Sequence, residues 1–115
     1  MFHAVSDTDD FKNQLTVAGD KLVVVDFHAT WCGPCKQIAP VLQEMSSTME
    51  DVVFLKVDVD DCEVIAAEYK VTAMSTFIFL RKGIQVAVLQ GANVDKLKEL
   101  VDTQKAPMNI QGEDF

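Results

Sequence analysis

Three features of the chain predict an α/β fold, a mixed central sheet of about five strands with helices on both faces. Residues 21–28, Lys-Leu-Val-Val-Val-Asp-Phe-His, make a nearly continuous apolar run, the mark of a central strand buried on both sides. Ile38, Val41, Leu42 and Met45 then recur at helical spacing, and a second apolar run follows at 52–57. Strand, helix and strand in that order predict a right-handed crossover and a parallel pair. Finally, strand-like residues 76–80 and 84–89 meet at Arg81-Lys82-Gly83, a link that reads as a hairpin and makes that pair antiparallel. A chain of 115 residues, 49% of them hydrophobic, has material for one domain with one modest core.

In chain order, 2–5 is a short first strand. Ser6, with Asp9 three residues on, has the spacing of a capping box opening a helix on which Phe11 and Leu15 share a face. Gly19 ends that helix. The helix from about 34 to 49 contains Pro40, whose missing N–H predicts a kink. Asp60 or Asp61 is placed to cap a short helix running to Tyr69, and 71–75 breaks the pattern as a loop. Gly91-Ala92 makes a turn, after which Asn93 caps a last helix with Val94, Leu97, Leu100 and Val101 toward the core. The domain is expected over 1–105. Residues 106–115, with Pro107, Gly112 and an acidic end, lack periodicity and read as a flexible tail.

A net charge of −8 opposes binding to nucleic acid or to anionic membrane, both of which repel the chain at long range. No apolar run approaches bilayer length, and no basic apolar leader precedes the first strand. The cysteines, Cys32, Cys35 and Cys62, are too few and too oddly numbered for a disulfide-stapled secreted scaffold. A monomer in a reducing compartment is expected, in the cytoplasm, with the nucleus also open to it.

The chemistry concentrates in Trp31-Cys32-Gly33-Pro34-Cys35-Lys36, where the buried strand gives way to a helix. Two thiols separated by two residues can close a small disulfide and so store two electrons. Cys32 falls at the helix N-terminus, where unpaired N–H groups and the helix dipole favour the thiolate that attacks disulfides. Cys35, one turn deeper, is the resolving thiol. Gly33 permits the tight turn, and Pro34 fixes φ while removing one N–H that could have faced the thiolate. Trp31 sets a broad apolar edge beside the sulfurs. Asp26 is an anomaly in an apolar strand, and desolvation should raise its pKa. His28 shares its strand parity, so their titrations can couple. Cys62 has no second cysteine nearby in sequence and reads as a bystander. One CxxC with a distant third cysteine does not complete a zinc site, so no metal is expected.

Taken together, Val25-Asp26-Phe27, Ala29-Thr30-Trp31-Cys32-Gly33-Pro34-Cys35-Lys36, Ala39-Pro40, Lys56-Val57-Asp58-Val59-Asp60, Thr76-Phe77 and Gly91-Ala92 resemble the thioredoxin family in order and spacing, over nearly the whole chain. The resemblance implies the thioredoxin fold and protein-disulfide reduction. It implies no bound cofactor, because NADPH and FAD act through a partner, thioredoxin reductase, and the other partners are disulfide-containing target proteins. It also implies that Asp26 takes the proton from Cys35, partly through water, with Lys56 as its electrostatic partner. Trp31, Met74, Ser75, Thr76, Gly91 and Ala92 would line the substrate groove. One departure stands out: the family places a cis-proline where this chain has Ser75. A cis bond costs about 3–4 kcal/mol before a residue other than proline, against about 0.5–1 kcal/mol before proline, so a trans bond is expected. Weaker stability and weaker docking with intact chemistry should follow. Two rival readings use the same residues: a binding module released by oxidation, and a CxxC metal or iron–sulfur binder shared between two chains.

Overall fold

The computed structural model describes residues 2–72 and 75–105. The expected tail from 106 onward, Met74 in the expected groove and the peptide bond between Met74 and Ser75 lie outside the described residues. Strands β1 (Phe2–Ala4), β2 (Leu22–His28), β3 (Val52–Asp58), β4 (Thr76–Arg81) and β5 (Ile84–Gln90) form one sheet in the order β1-β3-β2-β4-β5. Helices α1 (Thr8–Ala18), α2 (Gly33–Thr48), α3 (Glu63–Glu68) and α4 (Val94–Gln104) complete the element order.

The apolar run of β2 takes the centre of the sheet, parallel to β3 and antiparallel to β4. Its alternation feeds two cores. Val23, Val25 and Phe27 face α1 and α3 through Phe11, Ile65 and Ala66, while Leu22 and Val24 face α2 and α4 through Ile38, Leu42, Leu97 and Val101. The parallel crossover through α2 and the β4–β5 hairpin stand as the spacing predicts. Lys82 (φ +55) and Gly83 (φ +77) form the two-residue turn, in the left-handed backbone that tight hairpins require. Helix α2 runs through Pro40 to Thr48.

Two expected caps move. The N-cap of α1 is Asp7, not Ser6: its carboxylate accepts the Asp10 N–H at 2.8 Å. Asp10 returns the favour one residue earlier than a capping box would, accepting from the Ser6 N–H at 2.9 Å and bonding His3 Nε2 at 2.8 Å. Nor does Asp60 or Asp61 cap α3, whose N-cap is Cys62 with no side-chain bond. Asp58 Oδ1 instead accepts from the Asp60 and Asp61 N–H groups at 2.8 and 3.3 Å, so the acidic run is spent on a turn before the helix begins. Asn93 caps α4 as expected, accepting the Lys96 N–H at 3.0 Å.

Candidate active site

The redox stretch follows β2 at the carboxyl ends of the parallel strands. Antiparallel pairing of Phe27 with Thr76 brings the start of β4 to the same end. Two segments more than forty residues apart therefore meet there.

Cys32 is the N-cap of α2, and Cys35 lies three residues into its first turn. The two are joined as a disulfide with Cα atoms 5.3 Å apart. The Cys35 N–H donates to Cys32 Sγ at 3.2 Å, so a group that would otherwise be an orphan donor of the helix end is spent on the sulfur. Gly33 and Pro34 fill the intervening turn, Pro34 in the opening positions of α2 where its missing N–H costs no helical bond. Exposure does not distinguish an outer from an inner thiol, because Cys32 and Cys35 are 2% and 4% exposed. Their surroundings do: Cys32 holds the cap and its donor, whereas Cys35 lines a cleft of about 120 Å³ together with Asp26, His28, Ala29, Thr30 and Lys56.

Asp26 is 3% exposed, and no hydrogen-bonding group among the described residues reaches its Oδ1. Burial pushes its pKa up to about 7, with the Lys56 charge pulling weakly the other way. Lys56 stands opposite Asp26 in the β2–β3 register. The two make no ion pair, and the Lys56 ammonium lies 5.3 Å from the centre of the Phe2 ring. His28, also on the cleft, has its pKa lowered chiefly by burial.

Trp31 is 62% exposed beside the disulfide. Its indole N–H donates to Asp60 Oδ2 at 2.9 Å, and Asp58 holds the turn that presents Asp60. Asp60 is a site residue that sequence reasoning missed: it stood in the stretch that carries the family resemblance but was assigned only as a possible helix cap. On the facing side Thr76 is buried at the start of β4, and Ser75 accepts the Gly91 N–H on its carbonyl at 2.9 Å. Gly91, at φ +100, holds a backbone that a side chain would strain. Ala92 packs against the core below it. Ser75 itself has φ +52, is 1% exposed and points its hydroxyl at the disulfide, donating to Cys35 Sγ at 3.1 Å. Cys62 is remote from this cluster, a buried thiol against the Val5 carbonyl. Among the described residues no group of three or more His, Cys, Asp or Glu side chains is placed to hold a metal ion.

A disulfide closing the N-terminal turn of a helix, on a five-stranded mixed sheet and above a buried carboxyl, defines a thiol–disulfide oxidoreductase. The thioredoxin family model matches residues 2–103. The chain is 49% identical over 102 residues to the thioredoxin of Callithrix jacchus, covering 89% of this chain and 97% of that one. Against the thioredoxin of Homo sapiens it is 51% identical over 92 residues, covering 80% and 88%. The crystal structure of Fasciola hepatica thioredoxin superposes with a TM-score of 0.87 at 41% identity, covering 90% of this chain and 99% of that one. The chain belongs to the thioredoxin family, and its activity is protein-disulfide reduction by dithiol–disulfide exchange at Cys32 and Cys35.

Proposed function

We propose that Cys32 is the attacking thiol and Cys35 the resolving one, with Asp26 taking the proton of Cys35. The observation that carries this is the asymmetry of the pair. The helix cap and the Cys35 N–H favour negative charge on Cys32 Sγ, while Cys35 shares its cleft with a carboxyl pushed to about 7. In the forward reaction the Cys32 thiolate attacks a target disulfide, forming a mixed disulfide and releasing one target thiolate. Cys35, deprotonated toward Asp26, then attacks Cys32 Sγ. The Cys32–target bond breaks, its electron pair leaves on the target sulfur, and the Cys32–Cys35 disulfide remains. A cleft of about 120 Å³ can hold a few waters, at about 30 Å³ each in the liquid, enough to relay that proton.

The targets are disulfide-containing proteins, docked as an extended segment between Trp31 on one side and Ser75, Thr76, Gly91 and Ala92 on the other. Recharging is assigned to a thioredoxin reductase whose FAD and NADPH supply the electrons, with no cofactor held by this chain. We place the protein as a monomer in the cytoplasm or nucleus, where thiols are kept reduced. The rival readings, a binding module released by oxidation and a metal or iron–sulfur binder, are not favoured beside the closed Cys32–Cys35 pair and the uniform likeness to thioredoxins.

Insulin reduction with NADPH and thioredoxin reductase tests the assignment. Cys32→Ser should abolish turnover. Cys35→Ser should stall as a mixed disulfide with the target, and trapping through Cys35 in the Cys32→Ser variant instead would reverse the two roles.

A further inference from the structure

Ser75 occupies a place that no purely structural serine requires. It stands in the left-handed region, at φ +52, where a residue with a Cβ is strained and persists only when its surroundings hold it. Its holders are visible: Thr76 is fixed opposite Phe27 on β2, and the Ser75 carbonyl takes the Gly91 N–H. Held so, the buried hydroxyl reaches both sulfurs, Cys35 Sγ at 3.1 Å and Cys32 Sγ at 3.8 Å. Sulfurs joined in a disulfide carry no proton, so the hydroxyl is the donor, and its one proton goes to the nearer sulfur, Cys35 Sγ.

We propose that Ser75 is a catalytic residue of the exchange, donating a hydrogen bond to Cys35 Sγ as that sulfur gains negative charge. The proposal rests on disulfide exchange at this pair. When an incoming thiolate opens the disulfide, a bond forms between its sulfur and Cys32 Sγ and the Cys32–Cys35 bond breaks. The electron pair departs on Cys35 Sγ, which then takes a proton from the Asp26 side of the cleft. In the reverse direction the Cys35 thiolate is the nucleophile. Ser75 keeps its own proton throughout and acts by stabilising charge, as oxyanion donors do for oxygen. A sulfur whose anion is stabilised leaves faster, so the effect falls first on opening of the disulfide. A proline at this position has neither hydroxyl nor N–H and could not supply the bond.

The test is the rate at which dithiothreitol opens the disulfide in the full chain, followed by Trp31 fluorescence. Parent, Ser75→Gly and Ser75→Ala are compared; glycine accepts φ above zero without strain, so Ser75→Gly removes the hydroxyl without burdening the fold. Both variants should open about tenfold more slowly than the parent, equivalent to about 1.4 kcal/mol of lost transition-state stabilisation. In a Cys32→Ser background, removing the hydroxyl should also raise the titration of Cys35, read from thiolate absorbance. Dithiothreitol lays no peptide backbone in the groove, so a serine that served docking alone would leave its rate unchanged. Folded Ser75→Gly opening at the parent rate would overturn the proposal. A parent disulfide inert to dithiothreitol would overturn the exchange reading itself.

Discussion

Asp10 and Asp26 carry the same carboxyl group, yet the first is held down at about 2 and the second pushed up to about 7. Asp10 sits in the first turn of α1, where the His3 ring, then the Ser6 N–H, and more weakly Gln14 bond its ionised form. Asp26 sits in the central strand with an oxygen that no described group reaches, so burial dominates and the Lys56 charge does not offset it. The difference teaches that burial and donors together set a carboxyl's chemistry. Surrounded by donors, Asp10 is a structural anion; buried, with an oxygen that no described group reaches, Asp26 can hold and release a proton near neutral pH.

The largest test of this contrast is a stability measurement on Asp26→Asn. The climb from 3.8 to about 7 corresponds to about 4 kcal/mol that the folded state loses once Asp26 must ionise. Below 3.8 the carboxyl is protonated folded and unfolded, so variant and parent should then match in denaturant melts. From 3.8 to about 7 only the folded state keeps the proton, so parent stability falls with rising pH. Above about 7 the variant should be ahead by the full amount. A constant difference at all pH would mean that Asp26 is not held neutral by the fold.

Kinetics come next in size. Asp26→Asn should slow resolution of the mixed disulfide by about 100-fold, the low end of general-base effects, and its formation much less. In the parent the resolving rate should rise through about pH 7 as Asp26 ionises. Equal slowing of both steps would count against a proton-accepting role. A smaller effect is expected from Lys56→Met: losing the cation pushes the Asp26 pKa higher, so the rising limb of the resolving rate moves to higher pH.

The smallest effect belongs to Asp10→Asn. Because the folded pKa of Asp10 lies below its ordinary 3.8, its contribution is complete above 3.8 and fades as pH falls through about 2. A modest drop in Tm is therefore expected near neutral pH, narrowing below 3.8 and absent once pH drops past about 2. A gap that persisted in that acid range would assign the loss to packing.

Much of the fold was legible because its signals are local. The burial of β2, the Gly19 and Asn93 ends, the Arg81–Gly83 hairpin and the cap position of Cys32 each depend on a few adjacent residues. The caps of α1 and α3 were misplaced because Ser6, Asp7, Asp58, Asp60 and Asp61 are chemically interchangeable as acceptors, and only the chain's path settles which oxygen meets which N–H. The place of Asp60 in the site went unread for a different reason: its bond to Trp31 spans 29 residues and leaves no pattern along the chain.

What the sequence alone determined is the identity of the reacting groups: two thiols one helical turn apart, a carboxyl embedded in an apolar strand, and a serine ahead of Thr76. Only the tertiary structure decided what those groups face. Antiparallel pairing of β4 on β2 carries the Ser75 hydroxyl to Cys35 Sγ across forty residues, and β2–β3 pairing leaves Asp26 Oδ1 without a donor among the described residues while its register partner Lys56 lies over Phe2. The physical reason is that thiol and carboxyl reactivity depends on donors, charge and desolvation within a few ångströms, and residues far apart in the chain supply them.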